Sequence, residues 1–424
     1  MKILTIVDSL GNGGIQRVAR NFAVAYREYG YESAICVLKK NSDMDQLPGT
    51  DVQVYYAENQ DCMRQIVSFS PDILHLHRHG GKGKPVFNLV RKIKDKKKCL
   101  VFDLNSFAWP NFSKDDELVD CTFVLSKWCL WRYKSWNKLN RSQHIATFVP
   151  NMMIEDEFYP LSKNEINVFR NKLGIPESAF VLGRIGQPNE ASWKIEYVDI
   201  FRNLASEIKD IYMVMVGPPK NITDAIRRIE EPEIKERIII KERVDDDAYL
   251  RGIYNCMDLF VHMSRIGESF GNVNAEAMLC RTPVITLSTP QFHNTQIEVV
   301  QNGQGGVVVN NVKTMQEMIY KLYHNRVLST KAAGRSRELI MERYSREAVM
   351  KRMKKIIGVF MSNADNTSRA EALERMDIPT KISRKAVQKE LQGAYGSVEL
   401  SVKLKAKIHQ NPYLYYVYSH LKNK

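Results

Sequence analysis

Thirteen short apolar, β-branched runs, each followed by a stretch of helical character, constrain this chain more than any other feature. The first series is Lys2–Val7, Ser33–Val37, Val52–Tyr56, Ile73–Leu76, Cys99–Phe102, Thr122–Leu125 and Ala146–Val149. The second is Phe180–Ile185, Ile211–Val216, Arg237–Ile240, Leu259–His262, Pro283–Thr286 and Gly306–Val309. Solidly apolar strands are strands covered on both faces, and strands joined through helices pair in parallel. The turn-rich stretch from Asn151 to Pro176, with Pro160 and Gly174 inside it, separates the two series. The pattern predicts an α/β chain of two doubly wound domains, residues 1–155 and 176–345. A crossover helix follows over 346–362, opened by Ser345 as N-cap with Glu347 in its first turn. Residues 363–424, with 11 Lys and Arg against 6 Asp and Glu, read as a basic, mostly helical extension.

At 44% hydrophobic and 26% charged residues the chain is neither disordered nor fibrous. Its 62 Lys and Arg outnumber 48 Asp and Glu, and a net charge of +14 suits a polyanionic partner. Seven scattered cysteines without a Cys-x-x-Cys pair argue for a reducing compartment and against a zinc ribbon or disulfide framework. No apolar run approaches the roughly 20 residues that span a bilayer. The N-terminal run Ile3–Val7 is broken by Asp8, too early for a secretion signal. The expectation is a cytoplasmic protein, soluble or peripheral on the inner face of a membrane. Arg91–Lys98 and Lys351–Lys355 are dense cationic runs, the latter beside Ile356, Ile357, Val359 and Phe360. They read either as solvated faces of core helices or as attachment points for anionic lipid. No nucleic-acid-binding signature organises the charge, so nucleic acid is not an expected partner.

Three segments carry residues suited to chemistry. Gly11-Asn12-Gly13-Gly14 opens the first helix, where glycines let backbone amides approach an anion; it is neither a dinucleotide fingerprint nor a Walker loop. Gly183-Arg184-Ile185-Gly186, with Lys194 beyond it, offers either a fork and a point charge for a diphosphate or two surface cations. In Gly267-Glu268-Ser269-Phe270-Gly271-Asn272-Val273-Asn274-Ala275-Glu276, two carboxylates stand where each can accept two hydrogen bonds from a vicinal diol. Gly271 allows backbone amides near Ser269–Asn272 to approach a ligand. The plainer reading is a charged helix start. Asp245-Asp246-Asp247 precedes a helix and reads as an N-cap rather than a metal-binding Asp-x-Asp. No His/Cys cluster has metal-ligand spacing, and no metal or cofactor is expected.

The run GESFGNVNAEAM followed by RTPVIT resembles the donor-site motif of GT-B-fold retaining glycosyltransferases of family 4. GNGGIQRVARNFAVAYREYG, PDILHLH, FVPNMMIEDEFYP, GRIGQPNEASWK, IYNCMDLFVHMS and IEVVQNGQGGVVV resemble the family's other segments in order, so the resemblance covers roughly residues 1–360. It implies two Rossmann-like domains facing across a cleft. It implies a sugar moved from a nucleoside-diphosphate-sugar to a hydroxyl of a glycan or lipid-linked saccharide, with retention and without a metal. By the same resemblance, Arg184 and Lys194 would hold the diphosphate and Glu276 the ribose. Glu268 would hold the sugar, the Ser269, Phe270, Gly271 and Asn272 segment would neighbour both, and Gly13 and Gly14 would face the diphosphate. Such enzymes serve surface polysaccharide and lipopolysaccharide synthesis. Two departures mark this chain. Asn105 stands where many relatives have a histidine, leaving His77, among His75, His77 and His79, as the pocket candidate or else a strand-end histidine satisfied by backbone. The spacing from Arg184 to Lys194 is also longer than in many relatives. Other readings of the two-domain pattern are a nucleotide-sugar epimerase, a phosphorylase, or a non-catalytic basic membrane- or nucleic-acid-binding protein.

Overall fold

The computed structural model describes residues 1–424 except 12, 42–43, 141–143, 326–333, 390–392 and 423–424. The chain divides into two compact units, residues 1–152, 346–387 and 410–424 in the first, and 153–345 and 388–409 in the second.

The first unit is built on a seven-stranded parallel sheet in the order β3-β2-β1-β4-β5-β6-β7. Its strands are β1 Lys2–Val7, β2 Glu32–Val37, β3 Gln53–Tyr56, β4 Ile73–Arg78, β5 Leu100–Asn105, β6 Cys121–Val124 and β7 Ile145–Phe148. Helix Gly14–Glu28 buries Val18, Phe22, Ala25 and Tyr26 on one side, the i, i+4, i+7, i+8 stripe of a helix lying on a sheet. Helix Arg346–Ser362 returns to this unit after the second unit is complete. Its Met353, Ile356, Ile357 and Phe360 are buried, and the Phe360 ring packs edge-on at 5.2 Å from Phe102. The apolar side that suggested lipid attachment therefore lies in the core. Much of the other cationic run is also engaged at home: Lys97 reaches the Ser70 carbonyl at 2.6 Å, and Arg91 pairs with Asp115.

The second unit holds a six-stranded parallel sheet ordered β10-β9-β8-β11-β12-β13. These strands are β8 Phe180–Ile185, β9 Ile211–Val216, β10 Ile238–Lys241, β11 Leu259–His262, β12 Val284–Leu287 and β13 Gly306–Val309. Phe180, Leu182, Phe201, Met213, Val261, Ile285 and Ile319 are among its fully buried side chains. Each such side chain is worth about 1.5–3 kcal/mol when removed from water, and that burial holds the strands' parallel pairing. Strand order reverses between β8 and β11, and the loops at the carboxyl ends of these two strands diverge there, which in open α/β sheets makes a crevice suited to ligands.

The stretch after residue 362 is a mostly helical extension, with helices Asn366–Arg375, Arg384–Lys389, Leu400–Gln410 and Pro412–Lys422, and it contributes to both units. Residues 388–409 belong to the second unit. There Tyr395 exchanges backbone hydrogen bonds with Val308 and Asn310, both at 2.9 Å, and so occupies the open edge of β13. Tyr415 returns to the first unit, 5.0 Å from the Trp136 ring. All seven cysteines are buried free thiols. Among the described residues, no helix is long and apolar enough to cross a membrane.

Candidate functional site

β11 ends on His262, and the chain then loops to Gly271 before helix Asn272–Leu279. Two left-handed glycines shape that loop, Gly267 at φ +67° and Gly271 at φ +92°. A side chain at Gly267 would run into the His293 carbonyl, and one at Gly271 would crowd Asn274 and Glu268. Between them Glu268 is fixed at both backbone and side chain. Its amide donates to Gln296 Oε1 at 3.2 Å and its carbonyl accepts from the Thr295 amide at 3.1 Å. Its carboxylate Oε1 lies 3.0 Å from Nε2 of the fully buried His262, whose Nδ1 lies 2.9 Å from Thr286 Oγ1. Burial, and then the charge of Arg184, pull the His262 pKa below its usual value against the opposing pull of Glu268. The Glu268 side chain is 26% exposed, so part of its carboxylate faces outward.

Eight residues on, Glu276 is buried on the same helix, with Oε2 accepting from the Tyr254 hydroxyl at 2.7 Å. Burial and then the Glu276 charge hold the Tyr254 phenol well above its ordinary pKa, so it stays a donor. Phe270 turns inward, its ring 5.1 Å from that of Tyr344. Ser269 and Asn272 on either side of Phe270 and Gly271 are partly exposed. The helix has no acidic residue in its first turn and no side-chain cap at Gly271, an arrangement compatible with an approaching anion.

Arg184 occupies β8 and is 2% exposed. Its Nη1 donates to the Ile185 carbonyl at 2.8 Å and Nη2 to the Ser192 carbonyl at 2.9 Å, with the guanidinium 5.0 Å over the Trp193 ring. Burial lowers its pKa, and the charge of Glu268 opposes that shift, which puts both groups in one electrostatic neighbourhood. Lys194 is partly exposed in the loop beyond and pairs with Glu196 at 2.7 Å. The two cations are thus engaged differently, Arg184 inside the unit and Lys194 at its surface. Asp246 caps helix Asp247–Cys256 through the Ala248 and Tyr249 amides, as its position predicts. Among the described residues, no three His, Cys, Asp or Glu side chains gather as metal ligands would.

Gly13, Gly14 and His77 belong to the first unit. Gly13 is the N-cap of helix Gly14–Glu28 and Gly14 its first residue, while Asn12 lies outside the described residues. His77 is 3% exposed on β4, its Nε2 3.3 Å from His75 Nδ1 and its ring 5.4 Å from Phe22. Burial first, then His75, drives its pKa well below the usual value, so the ring is neutral. Asn105 spends its side chain on Trp109, donating to the carbonyl at 2.8 Å and accepting from the amide at 3.2 Å. Sequence reasoning passed over His262, Thr286, Tyr254 and Gln296. Only His262 carried a signal, as a polar residue closing an apolar strand six residues before Glu268.

Residues 177–325 match the family model described as glycosyl transferases group 1. The matched segment lies wholly within the second unit. Over 143 residues the chain is 24% identical to alpha-galactosylglucosyldiacylglycerol synthase of Streptococcus pneumoniae (strain ATCC BAA-255 / R6), a match that takes in 33% of this chain and 37% of that relative. HepE of Anabaena, solved in complex with UDP-glucose, has the same fold at 16% identity and a TM-score of 0.67, covering 84% of this chain and 99% of HepE. Sucrose-phosphate synthase of Thermosynechococcus elongatus aligns with a TM-score of 0.64 at 15% identity over 85% of this chain and 100% of its own. The architecture is GT-B, and the segment that matches the family model contains β8–β13 with Arg184, Lys194, Glu268 and Glu276.

Proposed function

We propose that this chain is a retaining glycosyltransferase that moves a sugar from a nucleoside-diphosphate donor to a hydroxyl of a glycan or lipid-linked saccharide. The observation that carries this reading is the fixed, outward-facing Glu268 carboxylate, eight residues before the Tyr254-held Glu276. In this reading Glu268 accepts from sugar hydroxyls and Glu276 from those of the ribose. The amides of the Ser269–Asn272 segment, Lys194 and the field of the buried Arg184 meet the diphosphate. The bond from the anomeric carbon to the phosphate oxygen breaks and a bond from the acceptor oxygen to that carbon forms. The acceptor proton passes to the departing phosphate oxygen on the same face. Cations and helix amides supply the neutralising charge, so the proposal routes no step through a metal. The match to a glycosyldiacylglycerol synthase supports a glycolipid acceptor, and the likeness to HepE, solved with UDP-glucose, supports a nucleotide-sugar donor.

The same reading places the enzyme peripherally on the inner face of a membrane, where a lipid-linked acceptor would lie. Helix Pro412–Lys422 supports this, exposing Tyr413, Leu414 and Val417 in a chain of net charge +14. The test of function is transfer from a panel of UDP-, GDP-, ADP- and CMP-sugars to membrane glycolipid extracts. Glu268→Ala and Glu276→Ala should each lose turnover while keeping a folded circular-dichroism spectrum. Near-normal turnover in both variants would overturn the site.

A further inference from the structure

Glu268 does not hold its carboxylate alone. A carboxylate only accepts hydrogen bonds, so the 3.0 Å contact with His262 places the imidazole proton on Nε2. Nδ1 then carries a lone pair and needs a donor, and the hydroxyl of Thr286 stands 2.9 Å away. His262 and Thr286 are direct partners in the β11–β12 register and both are fully buried. The result is a directed chain, Thr286 O–H to Nδ1 and Nε2–H to Glu268 Oε1, whose first two members are sealed from competing water. Packing alone does not ask for it, since the preceding pair on the same face of these strands, Phe260 and Val284, is apolar and fully buried. A buried polar pair there aims one group, and that group is the carboxylate that opens outward.

We infer that His262, backed by Thr286, is a positioning residue that orients Glu268 toward a sugar hydroxyl. It thereby sets affinity for the sugar half of a nucleotide sugar and not for the nucleotide half. This rests on the reading of the Glu268 loop as a donor site. Glu276 does not depend on the chain, since it accepts a hydrogen bond from Tyr254 on another helix. Loss of the histidine therefore separates two affinities that a general loosening of the fold would lower together.

The experiment is calorimetric titration of the purified full chain with UDP-glucose and with UDP. It compares wild type, His262→Phe, His262→Gln, Thr286→Val and Glu268→Ala. His262→Phe should weaken UDP-glucose about tenfold or more and leave UDP within about twofold. His262→Gln, which puts an amide donor near the Nε2 position, should recover most of the loss. Thr286→Val keeps the strand's shape and should fall between, and it carries the test if His262→Phe does not fold. Equal loss of both ligands in His262→Phe, or in Thr286→Val when that variant stands in, overturns the inference, as does no loss of either. Should Glu268→Ala keep the full preference for UDP-glucose over UDP, or wild type bind none of the UDP-, GDP-, ADP- and CMP-sugars, the donor-site reading itself fails and the inference falls with it.

Discussion

Tyr254→Phe removes one oxygen and little else. The ring keeps its packing 5.8 Å from Phe158 and 5.7 Å from Phe260, while the Glu276 carboxylate loses a 2.7 Å donor inside the protein. A hydrogen bond to a charged acceptor contributes about 1.5–3 kcal/mol, and a buried carboxylate deprived of it cannot turn fully to water. For a unit of this size, roughly 2–4 °C is lost per kcal/mol, so the melting transition of the second unit should fall by roughly 3–12 °C. The functional consequence runs in parallel. A carboxylate held by one donor fewer binds a diol less well, and the UDP dissociation constant should rise about tenfold. Scanning calorimetry of the full chain with and without UDP reads both quantities in one experiment. A variant that melts within about 1 °C of wild type and binds UDP equally would refute the claim that Tyr254 holds Glu276.

Three further outcomes are expected. Gly271→Ala forces a side chain onto φ +92° and against Asn274 Nδ2 and the Glu268 stem, so the urea midpoint should drop by the equivalent of about 1–3 kcal/mol; an unchanged midpoint would contradict the loop geometry. Burial lowers the His75 pKa to about 3, so below pH ~6.5 the unfolded chain takes up a proton that the folded unit refuses. Stability is then full above that pH and falls by about 1.4 kcal/mol per pH unit for this group as acid is added. His75→Asn should flatten the slope between about pH 6 and pH 4 in urea titrations, and an identical slope would contradict it. Vesicles containing phosphatidylglycerol should co-sediment with the chain in a salt-sensitive way, and Val417→Asp, at a position 55% exposed, should weaken that binding; salt-insensitive binding that the variant does not change would remove the peripheral assignment.

Much of this molecule is legible before folding, and the reason is local. All thirteen strands lie where solid apolar runs put them, because a strand covered on both faces has little choice of residue. Their ends move by one to three positions, as at β4, which runs on to Arg78, and β5, which runs on to Asn105. The Glu268 and Glu276 pair is legible because both lie in one short segment. What local sequence does not carry is the direction a side chain takes once strands are side by side. Arg184 at a strand end suggests a surface fork, yet its guanidinium folds back onto the Ile185 and Ser192 carbonyls. His262 meets its hydrogen-bond partner Thr286, twenty-four residues on, through a register only the sheet creates. Helix Arg346–Ser362 is amphipathic by any count, but only the observation of Phe360 against Phe102 shows that its apolar side faces protein.

The central claim is that the loop from His262 to Glu276 receives a nucleotide sugar, and thermal stabilisation by ligand tests it most directly. Wild type and Glu276→Ala would be melted in the presence of each UDP-, GDP-, ADP- and CMP-sugar. A responding donor at about 100 times its dissociation constant should stabilise the wild-type chain by about 2.7 kcal/mol, and the shift should vanish in Glu276→Ala. An equal shift in the variant, or no shift in the wild type with any donor, would contradict the account.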